Sequence, residues 1–442
     1  LAANKTWSCL KILDLSDNQI TDEGALAFHN QVCWVNINQF NLSENEISDD
    51  AVSDLKSNPI WGKEVLVLDF PKRGGNQNFW KYLKEEVSDS VVELDIENKT
   101  LTRTQIFILT KAAEHWKNLK KLNLHNSFIS DADGATLVSK KCWVNLEELN
   151  LSSNHVSDKT ALEMRNNEVL TQLKKLNLEN NKISDVGGAS IGNNKSWGQL
   201  EELNFSNNQV GIESAKAIAS NLEWVHIKKL DLSGNMIGEK GAEHLSSNQI
   251  WTNLQTLNLS ENEIGDRGAE CLSNNQIWSN LQTLHLSKNN IGEIGSKYLS
   301  INKTWTDLQT LNLSYNKIGE KGAEYLSSNK TWTNLQTLDL SDNKIGEKGA
   351  EYLSSNKTWT NLQTLNLSDN KIGEKGAEYL SSNKTWTNLQ TLDLRKNKIG
   401  EKGAEYLSSN KIWTNLQTLH LSENNIGEKG AEYLSSNKIW TN

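Results

Sequence analysis

The chain has 442 residues, a formal net charge of −9, 23% charged residues, four cysteines and two prolines. An acidic balance of this size speaks against nucleic acid as a general partner, which asks for a basic excess. No run of 18 apolar residues occurs, so no segment is expected to span a membrane.

Length alone would suggest two to four globular domains. The tryptophans override that expectation. Trp251, Trp278, Trp305, Trp332, Trp359, Trp386, Trp413 and Trp440 stand 27 residues apart, and Trp7, Trp34, Trp61, Trp116, Trp143, Trp197 and Trp224 fall on the same ladder with small insertions. A fixed period of this length marks an array of like supersecondary units. One unit runs from Leu335 to Asn361. Leu338 and Leu340 alternate with Thr337, Asp339 and Ser341, which predicts a short strand with its leucines inward. After Gly346 the spacing of Ala350 and Leu353 changes to three, which suits one or two turns of helix.

In chain order, the strand centres are expected at Leu13, Phe40, Leu68, Leu94, Leu122, Leu149, Leu176 and Leu203. They continue through Leu230, Leu257, Leu284, Leu311, Leu338, Leu365, Leu392 and Leu419, giving sixteen units. An Asn follows five residues after the centre in thirteen of them, among them Asn18, Asn45, Asn154, Asn262 and Asn343. Its amide can both donate to and accept from backbone groups at a buried turn, so a column of such bonds is expected. Arg73, Lys99 and Ser127 fill that position in units three to five, where the column should break.

The pattern L-x-x-L-x-L-x-x-N-x-I-x-x-x-G-A-x-x-L resembles the leucine-rich-repeat family, in its ribonuclease-inhibitor-like class. The resemblance covers the whole chain. The fold it implies is α/β, a leucine-rich-repeat solenoid with a parallel sheet on one side and helices on the other. Strands pack about 4.8 Å apart and helices about 10 Å apart, so the array is expected to bend with the sheet concave. Residues 66–121 are expected to hold irregular repeats within a single domain spanning 1–442. Leu1–Trp7 aligns with Leu353–Trp359, inside a unit, so the segment reads as cut from a longer chain.

The outward strand positions of the last seven units are small, polar and nearly uniform, whereas the early units vary. Lys72 and Arg73 follow the third strand, Glu93, Asp95 and Glu97 lie on the fourth, and Lys121 and His125 on the fifth. Non-identical units can encode specificity, so these seven residues form the candidate partner-binding set; mutual salt bridges between neighbouring strands are the plain alternative. The eight histidines show no metal-ligand spacing. Gly346-Glu-Lys-Gly349-Ala350 lacks the Lys-Ser/Thr of a phosphate loop, and Gly349 reads instead as a place of close helix approach. No catalytic set can be assembled and no cofactor is expected. The tryptophan column reads as core.

Cys33 and Cys142 lie four units apart and are too distant to pair, which suits a reducing compartment. Sequons at Asn41, Asn150, Asn204, Asn258, Asn312 and Asn366 on the strands, with further ones at Asn302, Asn329, Asn356 and Asn383, favour a cytoplasmic chain over a glycosylated one. By resemblance, the function implied is a protein-protein interaction scaffold, as in the ligand-sensing arm of cytoplasmic NOD-like receptors, with flanking domains outside this segment. A bacterial or protist effector array, an enzyme inhibitor and a mechanical spacer are the alternatives.

Overall fold

The computed structural model describes residues 91–437 and 439. Before them it describes residues 10–15, 18, 20–29, 36–37, 39–42, 45, 47, 51, 54–55 and 66–67. The chain divides into two compact units, Leu1–Asn181 and Lys182–Asn442. In the first unit, β1 (Ile12–Asp14), β2 (Gln39–Asn41) and β3 (Leu66–Val67) form one parallel ladder. A second ladder follows in β4 (Glu93–Asp95), β5 (Lys121–Asn123), β6 (Glu148–Asn150) and β7 (Lys175–Asn177). The second unit runs β8 (Glu202–Asn204), β9 (Lys229–Asp231), β10 (Thr256–Asn258), β11 (Thr283–His285) and β12 (Thr310–Asn312). It continues with β13 (Thr337–Asp339), β14 (Thr364–Asn366), β15 (Thr391–Asp393) and β16 (Thr418–His420), each parallel to the next. The fold is the α/β repeat solenoid that the period predicts.

The repeat buries what its sequence pattern assigns inward. Leu335, Leu340, Ile345, Ala350, Leu353 and Trp359 are fully buried, and Leu338 is 1% exposed. The helix Gly346–Ser354 is nine residues long, more than the one or two turns expected from Ala350 and Leu353. Two left-handed residues, Asp342 (φ 50°) and Lys344 (φ 57°), flank Asn343 and reverse the chain between strand and helix. Gly349 fits the role read from sequence. A Cβ there would collide with Ile345 Cγ2 and come within 3.2 Å of Ala323 Cβ on the preceding helix.

Tryptophans 116 to 413 of the ladder are buried, as expected; Trp7, Trp34, Trp61 and Trp440 lie outside the described residues. Trp197 and Trp224 stack with centroids 6.3 Å apart and planes 8° from parallel. Trp143 Nε1 donates to the Leu137 carbonyl at 2.9 Å. Ten other indole N–H groups, that of Trp332 among them, have no protein acceptor, so packing rather than hydrogen bonding holds them.

The asparagine column forms. Asn154 Nδ2 donates to the Leu124 and Leu151 carbonyls at 2.8 and 3.0 Å, while its Oδ1 accepts from Ser127 N and Ile129 N at 3.0 and 2.9 Å. One amide thus ties its own turn to the preceding unit.

Two expectations need correction. The third strand pairs Phe40 with Leu66, not Leu68, because the spacing from the second unit is one residue short of the period. Ser127 also does half of the Asn task. Its hydroxyl donates to the Ile96 carbonyl at 2.8 Å, and the Leu101 N–H, from which an Asn oxygen would have accepted, donates to the Lys99 carbonyl at 3.0 Å and also reaches the Ser127 backbone carbonyl at 3.3 Å. The column is patched there, not simply broken. Arg73 lies outside the described residues.

Candidate functional site: the strand face of the first unit

Alternation along a three-residue strand leaves its first and third residues on the face opposite the core. In β4 these are Glu93 and Asp95, and in β5 Lys121 and Asn123. Register aligns Glu93, Lys121, Glu148 and Lys175 across β4 to β7. Charge alternates along this row. Lys121 Nζ lies 3.9 Å from Glu93 and 4.0 Å from Glu148, and Lys175 lies 3.5 Å from Glu148.

A second row stands one residue earlier with the same order of charges, Lys120, Glu147 and Lys174. Glu147 accepts from Lys120 at 2.9 Å and Lys174 at 2.7 Å. Hydrogen bonds from Lys174 and then Lys120 hold the Glu147 carboxyl far below its usual range, at about 2. Similar pairs occur in the second unit, between Lys228 and Glu201 at 2.8 Å and Lys229 and Glu202 at 3.3 Å.

The turn after β4 and β5 brings further candidate residues together. Glu97 N donates to Asp95 Oδ1 at 3.1 Å, and Asn123 Nδ2 donates to Glu97 Oε2 at 3.0 Å. Burial raises the Asp95 carboxyl above its ordinary value against the opposing donors at Glu97 and Asn123. His125 Nδ1 meets Ser152 Oγ at 2.8 Å. Glu93, Asp95, Glu97, Lys121 and His125 therefore form one connected surface. Lys72 and Arg73 fall outside the described residues. The salt-bridge alternative is present as well, and the two readings are compatible. Exposed pairs of this kind are worth about 0–1 kcal/mol each, so a partner offering matched charges can replace them at little cost.

In the second unit the corresponding face is mostly Thr, Asn and Ser. Among its exceptions, Arg395 holds Asp393 through Nε and Nη2, at 2.6 Å for the shorter contact, and burial lowers the His285 imidazole below its ordinary value. Among the described residues no group of three His, Cys, Asp or Glu side chains could hold a metal ion.

Sequence reading missed two sets of residues. Asn248, Asn275, Asn302, Asn329, Asn356, Asn383 and Asn410 form a second buried column at the helix-to-strand loop. Asn356, for example, accepts from Thr358 N and Trp359 N at 2.8 and 2.9 Å and donates to the Ser327 carbonyl at 2.7 Å. The sequon hides this role. The available signal was Asn-x-Ile-Trp at Asn248, Asn275 and Asn410, where the Asn persists without any following Thr.

The other set comprises Asp131, Asp185 and Asp266, each of which caps the helix of the next unit. Asp131 accepts from Ser157 N at 2.8 Å and Thr160 N at 2.9 Å. Burial opposes the Asp131 charge, but the hydroxyls and N–H groups of Ser157 and Thr160 outweigh it and lower the pKa.

The sequence matches a family model described as Leucine Rich repeat in twelve segments: 8–28, 144–164, 169–192, 200–219, 225–246, 252–273, 279–300, 306–327, 333–354, 360–381, 387–408 and 414–435. Together these make up more than half of the chain. No curated protein gives a significant match. Among solved structures, an internalin of Listeria monocytogenes str. 4b F2365 is similar at 22% identity and a TM-score of 0.55, covering 80% of this chain and 91% of its own. The TLR13–ssRNA13 complex is similar at 19% identity and a TM-score of 0.52, over 94% of this chain, which spans 64% of that one. Likeness at such identities concerns the fold alone.

Proposed function

Because the chain belongs to the leucine-rich-repeat family, whose members generally act as non-enzymatic protein-binding scaffolds, we propose that it presents the strand face of β4 and β5 to a protein partner. The observation that carries this reading is the connected surface of Glu93, Asp95, Glu97, Lys121 and His125, set among weak, exchangeable ion pairs. Uniform Thr, Asn and Ser rows offer a partner few distinctive anchors by comparison. The finer assignment is a ligand-sensing arm of a cytoplasmic NOD-like-receptor-type protein, joined to domains outside this segment. Two features support a reducing compartment. Cys142 and Cys271 are unpaired, with burial pushing the Cys142 thiol up to about 11. The loop sequons at Asn302, Asn329, Asn356 and Asn383 are buried with each Nδ2 bonded to a carbonyl of the preceding unit, so a glycan joined to that nitrogen before folding would prevent the loop from packing.

Charge reversal tests the face. In the variant Glu93→Lys, Asp95→Lys, Glu97→Lys, capture of the partner proteins recovered with the wild type should fall at least tenfold. A swap, Glu93→Lys with Lys121→Glu, keeps opposite charges adjacent and controls for the pairing itself. Undiminished capture of every partner by the reversed variant rules the face out.

A further inference from the structure

The helix-to-strand loops of the second unit carry a row of cations that the scaffold reading does not use. Lys303, Lys330, Lys357, Lys384 and Lys411 occupy the same place in five consecutive loops, and all are exposed. Among the described residues no ion pair reaches any of them. The helix lysines behave differently: Lys321, Lys348, Lys375 and Lys402 each pair with a Glu three residues on, at 2.5 to 2.7 Å. Across the five loops Asp307 is the single acid, in a chain whose net charge is −9. Charge is therefore segregated, with the loop edge positive and the helices negative.

The row is also fixed in spacing. Each lysine follows a buried Asn whose Nδ2 donates to the helix end of the preceding unit, from Asn302 to Ser273 at 2.6 Å through Asn410 to Ser381 at 2.7 Å. A third set of amides stitches the same loops together, as Asn361 Nδ2 does to the Thr333 carbonyl at 2.8 Å. The loops lie between the strand layer and the helix layer, so neighbouring lysines stand between about 5 and 10 Å apart. That is close to the screening length of about 8 Å at physiological salt, so they act as one line of charge.

We propose that this edge binds a linear anionic polysaccharide. A single file of equivalent point charges fits a polymer whose own charges repeat. The hydroxyls of Thr333, Thr360 and Thr387 are exposed beside the row and suit sugar hydroxyls, as do the Oδ1 atoms of Asn334, Asn361 and Asn388, whose Nδ2 groups serve the stitching. The tryptophans of these loops are fully buried, which leaves no aromatic platform for the stacked bases of a single-stranded nucleic acid. An acidic peptide would need pockets or a free strand edge, whereas the Asn columns already occupy much of the loop backbone.

The test uses the full chain and a size-defined heparin oligosaccharide, read by calorimetry. Binding at 50 mM salt should weaken about 10- to 100-fold at 200 mM, as expected for about two to four released counterions. Replacing the five lysines by Gln should weaken binding at least tenfold. The fold accepts Gln at this place, since Gln249 and Gln276 occupy it in two other loops. The converse variant, Gln249→Lys with Gln276→Lys, lengthens the row and should tighten binding. Gln at Lys321, Lys348, Lys375 and Lys402 should change it less than twofold. Absence of binding at 50 mM salt, equal loss in the helix variant, no gain on lengthening, or tighter binding of a twenty-base poly(dT) would each overturn the proposal.

Discussion

Asn343 shows how one side chain can organise a unit. Its amide donates to the Leu313 carbonyl at 2.8 Å and the Leu340 carbonyl at 3.1 Å, and its oxygen accepts from Ile318 N at 3.3 Å. All of these groups are buried, and Asn343 sits between two left-handed residues that it helps to hold. Asn343→Ala leaves at least one donor and one acceptor unpaired in the core. Each such group costs about 1–3 kcal/mol, so a loss of roughly 2–4 kcal/mol is expected. Ser127 predicts a graded result, because a hydroxyl in that slot still reaches a carbonyl of the preceding unit at 2.8 Å. Asn343→Ser should therefore cost about half as much as Asn343→Ala in urea unfolding. Equal losses would mean that the donor half of the amide contributes nothing.

Between elements, the charge rows of β4 to β7 link strands whose leucines already pack behind them. Glu147 is the centre of one row, bonded on both sides by lysines of neighbouring units. Its carboxyl titrates at about 2 in the folded chain against 4.5 for a free Glu. A depressed folded value means that the contribution to stability is complete above about pH 4.5 and is lost as pH falls towards 2. Glu147 is a partly exposed group, so its two pairs together contribute at most about 2 kcal/mol after screening. Acid unfolding followed by circular dichroism should show the wild type losing this increment between those pH values. Glu147→Gln should be less stable at pH 7 and no longer different from the wild type near pH 2. A gap between the two proteins that stays constant across this range would assign the effect to packing instead.

At the scale of the whole molecule, the legible part of the fold was whatever repeats in phase. Leu338, Leu340, Ala350, Leu353 and Trp359 were placed correctly because the period fixes their neighbours as well as their burial. Leu66 was missed because the spacing in that stretch is short by one residue, and an alternating pattern alone does not reveal a shift of two. The loop asparagines were hidden beneath a sequon. The candidate face was visible as charge, but its pairings join residues about one unit apart in sequence, and only the register of parallel strands brings Lys121 to both Glu93 and Glu148. The same periodicity governs how damage should spread. In an array, stability is roughly a sum of unit and nearest-neighbour terms, so a defect should be felt locally. Trp332 is fully buried, and its indole N–H lacks a protein acceptor. Trp332→Ala should cost about 3–5 kcal/mol by the cavity it leaves. Trp332→Phe removes the unpaired N–H together with part of the ring, so the two effects partly offset and the loss should be under about 2 kcal/mol. Hydrogen exchange should place the lost protection of Trp332→Ala in the unit around β13 and its immediate neighbours β12 and β14, with β9 and β16 unchanged. Uniform deprotection from β9 to β16 would show instead that this stretch unfolds as one cooperative block, with its tryptophans joined over a longer range than adjacent contacts can account for.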